Sequence, residues 1–346
     1  MSARVTIQPF GETFDVEDGE SVLCAVLRHG RYLKYGCRNG GCGTCRAILV
    51  EGDCHLADRT SYSLSDADRA AGRVLLCSTY LDSGDIEVDV SQTMDVSAAQ
   101  FAAGSLVSEH DCAVEAIEAL THDIRLLRLG LVEPAGLRFA AGQYVEVEVP
   151  GSGGGQDRCY SMANPPAERG RVDLIVKRIP DGRFSARLDD GLRVGDPLRI
   201  RGPIGQFTLR LSHRPMVMVA AGSGMAPIRS MLHHLAAGGN QRLVTFFYGA
   251  RIDQDLFLLD ELYDLERAQP WFRFMPVLSR PEHNAAAWAG ATGRVTDVLG
   301  RQMHTLRGHE AYLCGPPQMI DAAIEVLLDR GCKRRHIFYD RFVPTG

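Results

Sequence analysis

YGCRNGGCGTCRAILVEGD, Tyr35–Asp53, places three cysteines and four glycines within the ten residues Gly36–Cys45. Thiols this crowded read as a metal site before they read as disulfides. The opening MSARVTIQPFGETFDVEDGE lacks a basic stretch followed by an apolar one, so no secretory leader is expected. The chain's ten cysteines are therefore expected to be reduced, in a cytoplasm. Three thiols leave most metal sites incomplete, and the well-placed distant partner is Cys77, in LLCST. A zinc knuckle would pair short C-x2-C elements. Here three thiols share one loop and the fourth lies far downstream.

The spacing C-x4-C-x2-C followed by a distant cysteine is similar to the ligand set of a plant-type [2Fe-2S] ferredoxin. Cys37, Cys42, Cys45 and Cys77 are accordingly expected to be metal ligands. The glycines fit that chemistry. Two sulfides and four thiolates concentrate negative charge, and backbone N–H groups must turn inward to stabilise it. Gly36, Gly40, Gly41 and Gly43 give the chain the positive-φ turns that such wrapping needs. Cys24, Cys54, Cys112, Cys159 and Cys332 read as packed thiols.

Around this loop the pattern suggests a small α+β domain over 1–95. Residues 3–20 alternate apolar and polar about Gly11-Glu12, as a hairpin does. SVLCAVLRHG, Ser21–Gly30, has a Ser cap, helical spacing and a Gly stop. RAILVEGD, RVLLCSTY and DIEVDV read as strands. SQTMDVSAAQFAAGS then loses periodicity, and 96–107 reads as a linker. Over 108–211 about six apolar-alternating strands punctuated by Gly and Pro suggest an antiparallel β-barrel, with one helix from Ser185. Over 212–346 strands alternate with helices, which makes βαβ units and a parallel sheet.

Each later domain carries a motif. DRCYSMANPP holds Arg158, Tyr160 and Ser161 at a strand end: a guanidinium for a phosphate, a ring to lie on a flat heterocycle, a hydroxyl for a ring nitrogen. PDGRFSARL puts Gly182 and Ser185 at a helix start, where free N–H groups suit a pyrophosphate. Singly these could be an ordinary strand tyrosine and an ordinary cap. VAAGSGMAPIRSML is a Gly-rich turn between strand and helix, suited to phosphate, although Pro227 stands where the Rossmann fingerprint has its third glycine. YLCGPPQMI, Tyr312–Ile320, adds a second turn at a strand C-terminus, where open α/β sheets bind ligands.

Together these motifs, with GPIGQF and the aromatic tail YDRFVPTG, resemble the ferredoxin–NADP reductase superfamily over nearly the full length. Within it the chain is similar to the reductase components of bacterial multicomponent diiron monooxygenases, of the methane, alkene, propane and phenol type. The resemblance implies a β-grasp [2Fe-2S] domain, an FAD-binding barrel and an NADH-binding α/β domain. It places Arg158, Tyr160 and Ser161 on the flavin, Ser161 near its N5, and Gly182 and Ser185 at the FAD pyrophosphate. It places Gly222, Gly224, Pro227, Cys314, Gly315 and Pro316 at the nicotinamide, and Phe342 over the flavin ring. Val176, Lys177, Phe184 and Met225 complete the cofactor contacts it implies. Ser161, Cys314 and Phe342 would flank the reacting atoms. Asp340 stands where related tails often carry Glu, and it is assigned no role.

NADH gives two electrons as a hydride, a [2Fe-2S] centre takes one at a time, and a flavin does both, so the expected order is NADH, FAD, cluster. The expected acceptor is a diiron hydroxylase; the alternative is the oxygenase of a Rieske aromatic-ring dioxygenase. Asp253 and Asp255 after FYGAR favour NADH over NADPH, against Arg251 alone. With a net charge of −5 and no apolar run of membrane-spanning length, neither nucleic acid nor membrane is an expected partner, and a monomer is expected. The histidines read as surface or core residues.

Overall fold

The computed structural model describes the chain except residues 1–2, 37, 39, 58–62, 83, 104–106, 150–156, 180–181, 183, 282–287 and 344–346. It forms two compact units, Met1–Val107 and Ser108–Pro344.

In the first unit β1 (Ala3–Gln8) and β2 (Glu12–Val16) form the expected hairpin, with Val5 opposite Phe14 and Gly11 at φ +70° in the turn. Val5, Ile7, Phe14 and Val16 are buried, as the period-two alternation requires. The expected helix, α1 (Val22–Arg28), is capped by the Ser21 hydroxyl, which accepts from the Cys24 N–H at 3.3 Å. After the cysteine loop come β3 (Arg46–Glu51), β4 (His55–Leu56), α2 (Asp66–Ala70), β5 (Arg73–Leu75), β6 (Thr79–Tyr80) and β7 (Ile86–Asp89). The main sheet runs β2-β1-β7-β3-β5; β1 and β7 are parallel, the other neighbours antiparallel.

Two stretches differ from the sequence reading. RVLLCSTY is not one strand: a 3-10 turn at Leu76–Ser78 separates β5 from β6 and carries Cys77. The stretch read as a linker contains α3 (Ala98–Ala103). Phe101 is the reason. Its ring is buried and stacks on Phe10 at 3.9 Å, and its carbonyl accepts from the Tyr32 N–H at 2.9 Å. Burying one large ring outweighs a weak local pattern.

The second unit begins with β8 (Ser108–Ala119), β9 (Ile124–Glu133), β10 (Tyr144–Val147), β11 (Arg158–Ser161), β12 (Arg171–Lys177), α4 (Arg187–Asp190) and β13 (Pro197–Ile204). The strands lie antiparallel in the order β11-β10-β13-β8-β9-β12. An antiparallel bridge from Met162 to Leu174 joins the two outer strands, so the sheet closes as a barrel. The helix expected from Ser185 starts at Arg187 and is four residues long.

There follow β14 (Met216–Ala221), α5 (Met225–Ala237), β15 (Val244–Ala250), α6 (Leu259–Ala268), β16 (Phe272–Leu278), β17 (Ala291–Thr292), α7 (Val295–Gln302), β18 (Glu310–Gly315), α8 (Pro317–Asp329) and β19 (Ile337–Arg341). The six strands are all parallel, in the order β17-β16-β15-β14-β18-β19. β14 is central and covered on both faces, hence its unbroken apolar run MVMVAA. β17 and α7 were not anticipated. Barrel and sheet share a core in which Ile124, Ile175 and Phe207 meet Met218, Ile228 and Tyr312.

Candidate functional site

The cysteine loop runs from the end of α1 to β3. Of the four glycines expected to take the left-handed conformation, Gly40 and Gly43 do, with φ of +81° and +71°, while Gly36 and Gly41 do not. Gly36 is needed for another reason: a β-carbon there would stand 2.8 Å from the Cys42 sulfur. The Thr44 N–H points at that sulfur from 3.5 Å. Cys45 and Cys77 are buried and hydrogen-bonded to one another, and the Gly40 N–H donates to Cys77. The shared hydrogen bond, with burial, pushes the Cys45 thiol up. Cys37 lies outside the described residues. Among the described residues no three His, Cys, Asp or Glu side chains are grouped to hold a metal ion. Even so, a contacting thiol pair, a third thiol nearby and inward N–H donors suit a [2Fe-2S] cluster, which takes two protein ligands per iron. Of the cysteines read as packed, Cys159 is exposed.

In the barrel, β11 sends Arg158 and Tyr160 to one face and Ser161 to the other. The Tyr160 ring centroid lies 5.5 Å from that of Phe184, and burial pushes its phenol well above the ordinary range. Ser161 is buried; Val176 and Phe184 belong to the barrel core. The Met162–Leu174 bridge brings the end of β11 against β12, whose last residues are Val176 and Lys177. Lys177 is half-exposed and pairs with Asp123 at 3.0 Å. Part-burial acts to raise that carboxyl, but the Lys177 ammonium and the Thr121 hydroxyl hold it below its usual range.

Gly182 closes a tight turn, its carbonyl accepting from the Ala186 N–H at 3.0 Å, and a β-carbon there would stand 2.9 Å from the Ile179 oxygen. The Ser185 hydroxyl does not cap α4. It accepts from the Ile179 N–H at 3.1 Å and so braces this turn. A flat Tyr160 face beside a glycine turn suits an FAD.

In the α/β domain the Gly-rich stretch is a 3-10 turn, Gly222–Gly224, leading into α5. Gly222 has φ +55°, and the Met225 N–H closes the turn on the Gly222 and Ser223 carbonyls. Met225 and Pro227 are buried beneath it, which leaves backbone as the surface that a phosphate would meet. Cys314, the last residue but one of β18, has no exposure and lies opposite Ala220 on one side and Asp340 on the other. Burial, and then the Asp340 carboxylate, raise its thiol. Gly315 accepts from the Phe342 N–H at 2.9 Å, so the aromatic tail is tied to the Gly315-Pro316 turn. Phe342 packs on the core shared by barrel and sheet.

Three family models match successive parts of the chain: a 2Fe-2S iron-sulfur cluster binding domain over 5–82, an oxidoreductase FAD-binding domain over 111–209, and an oxidoreductase NAD-binding domain over 218–325. The propane 2-monooxygenase reductase component of Rhodococcus jostii (strain RHA1) is 39% identical over 347 residues, 99% of this chain and 92% of its own length. The chain belongs to the iron–sulfur flavoprotein reductases of the ferredoxin–NADP reductase type. This reductase is also 35% identical over 349 residues to the phenol 2-monooxygenase reductase component of Pseudomonas sp. (strain CF600), covering 100% of this chain and 96% of the other. A solved cytochrome P450 reductase from Amycolatopsis has the same fold, with a TM-score of 0.78, 32% identity and 99% of each chain covered. The reductase is thus an oxidoreductase with binding domains for FAD, a [2Fe-2S] cluster and NAD.

Sequence reasoning did not find two groups of residues. The Arg280 N–H donates to the Arg251 carbonyl at 2.7 Å, so Arg251 has a second arginine beside it at the ends of β15 and β16. Asp173 is fully buried, with Arg128, Arg171 and Arg229 at 3.2, 3.6 and 3.6 Å. A lone carboxylate inside the apolar run VDLIV was its one visible signal.

Proposed function

We propose that the protein is the NADH-oxidising reductase of a diiron hydroxylase system, acting as a cytoplasmic monomer. When bound, FAD accepts hydride from NADH and the cluster passes electrons on singly. Tyr160 and Arg158 hold the flavin, the first by its ring face and the second by charge, and the Gly182 turn admits the pyrophosphate. Ser161, on the opposite face of β11, stands by the flavin N5. Gly222, Gly224 and the Cys314–Pro316 turn form the nicotinamide cradle, and Phe342 covers the flavin face that nicotinamide must occupy. Cys37, Cys42, Cys45 and Cys77 would hold the [2Fe-2S] cluster, whose chemistry is to take and pass on one electron at a time.

Supporting this reading above the rest is one observation. Cluster, flavin and dinucleotide domains occur in one chain, which aligns over nearly its whole length with relatives of 35–39% identity that are named as monooxygenase reductase components. Among the described residues no helix is long and apolar enough to cross a membrane. The NADH-reduced protein, mixed anaerobically with an oxidised diiron hydroxylase of the propane or phenol type, should reoxidise as the hydroxylase is reduced. Reoxidation by a Rieske oxygenase or a P450, with none by the diiron enzyme, would assign a different acceptor.

A further inference from the structure

α5 joins the two halves of the reaction site. Its N-terminus is the Gly222–Gly224 turn, and one helical turn later it carries Arg229 and Ser230. The Ser230 hydroxyl, fully buried, donates to the Asn164 carbonyl at 2.7 Å, and the Arg229 guanidinium donates to the Ala163 carbonyl at 3.2 Å. Ala163 and Asn164 lie just beyond Arg158–Ser161, the strand assigned to the flavin, with Met162 between. The helix that carries the nucleotide turn is therefore fastened to the flavin strand within a few residues of both sites.

The fastening is itself held from two sides. Asn164, also fully buried, accepts from the Asp173 N–H at 2.9 Å and donates to the Arg171 carbonyl at 2.9 Å, which fixes the acceptor carbonyls to β12. Arg229 is gripped by Glu261 of α6 through two hydrogen bonds of 2.7 and 2.9 Å, and Asp173 of β12 lies 3.6 Å from it. His233, one turn along α5, reaches the same Glu261 at 2.7 Å. Partial burial acts to raise the Glu261 carboxyl, yet His233 and Arg229 bring it down to about 2. A bidentate arginine between two carboxylates is a rigid link, because the planar fork allows few orientations.

We infer that Arg229 and Ser230 are positioning residues for hydride transfer, setting the separation between the nucleotide turn on α5 and the flavin strand β11. The inference rests on the flavin and nicotinamide assignments made above. Hydride transfer needs its two atoms at about 3–3.5 Å, and a displacement of about 1 Å can cost about a hundredfold in rate. Neither residue is among those assigned to a cofactor; both act through the backbone at Ala163 and Asn164.

Ser230→Ala and Arg229→Lys in the holoprotein test this, with anaerobic stopped-flow reduction by NADH beside reduction by dithionite, which needs no nicotinamide alignment. We expect FAD content and the dithionite rate to stay at wild-type values. The NADH reduction rate at saturation should fall about tenfold or more, with little change in half-saturating NADH. Amide hydrogen exchange should rise together in 162–164 and 222–225. Arg229→Lys, which keeps the charge and loses the fork, should fall between wild type and Ser230→Ala. A wild-type NADH rate in Ser230→Ala would overturn the inference, as would a loss shared equally with dithionite or accompanied by lost FAD. If NADH fails to reduce the flavin of the wild-type protein, it is the underlying assignment that fails instead.

Discussion

A β-carbon placed on Gly224 would stand 2.6 Å from the carbonyl carbon of Cys314 and 2.9 Å from the Gly315 nitrogen. The turn after β14 and the end of β18 therefore touch backbone to backbone, and neither can yield as a side chain could. Gly224 itself has an ordinary helical φ of −59°, so the requirement is for space and not for conformation. Gly224→Ala should push the two turns apart while leaving the barrel intact. We expect FAD to be retained and kcat/KM for NADH to fall about tenfold to a hundredfold, measured with ferricyanide as acceptor. A value within twofold of wild type would show that the contact relaxes freely.

Cys77 is held away from its neighbouring strands by the 3-10 turn at Leu76–Ser78, in contact with Cys45. Cys77→Ser should remove the [2Fe-2S] cluster and keep the flavin, because the flavin residues belong to the other unit. Iron analysis and the EPR signal of the reduced protein check this. Full iron with an unchanged signal would remove Cys77 from the ligand set.

How far the sequence could be read depended on the range of the interaction. The cysteine spacing, the β14 run and the Ser21 cap are local patterns, and each was legible. α3 was not. Ala98–Ala103 is small and weakly patterned, and it is helical because Phe101 finds Phe10, which lies near the other end of the same unit. Arg229 with Asp173, and Arg251 with Arg280, are likewise pairs made by the fold between separate strands and helices. The Ser185 hydroxyl was read as a cap because the composition of a cap and that of a braced turn are the same. Phe101→Ala tests the first of these. It should destabilise the cluster unit by about 3 kcal/mol, seen as a lower urea midpoint for loss of cluster absorbance. An unchanged midpoint would restore 96–107 as a passive linker.

The Arg251–Arg280 neighbourhood changes the expectation for the dinucleotide. One guanidinium made a thin site for a 2′-phosphate; Arg280, joined to Arg251 through the backbone, offers it a second cation. Asp255 is partly committed, accepting from the Ile252 N–H at 3.3 Å. We still expect NADH to be preferred, with NADPH used at a measurable rate. Replacing both arginines by alanine should lower kcat/KM for NADPH about tenfold more than that for NADH, the order expected when charge-assisted hydrogen bonds to a phosphate are removed. Equal losses for the two nucleotides would place the arginines away from the 2′ position.

The strongest test of the modular scheme removes the first unit altogether. Ser108–Pro344 contains the barrel, the parallel sheet and the core they share, so the fragment 108–346 should fold as a yellow protein that holds FAD. Hydride transfer requires only these parts, and NADH-dependent ferricyanide reduction should stay within about twofold of the full chain, since no residue assigned to that step is removed. Electron delivery to cytochrome c or to a hydroxylase should be lost, because the thiols that hold the cluster are gone. A fragment that oxidises NADH and still supports hydroxylase turnover at the full rate would take the cluster off the electron path.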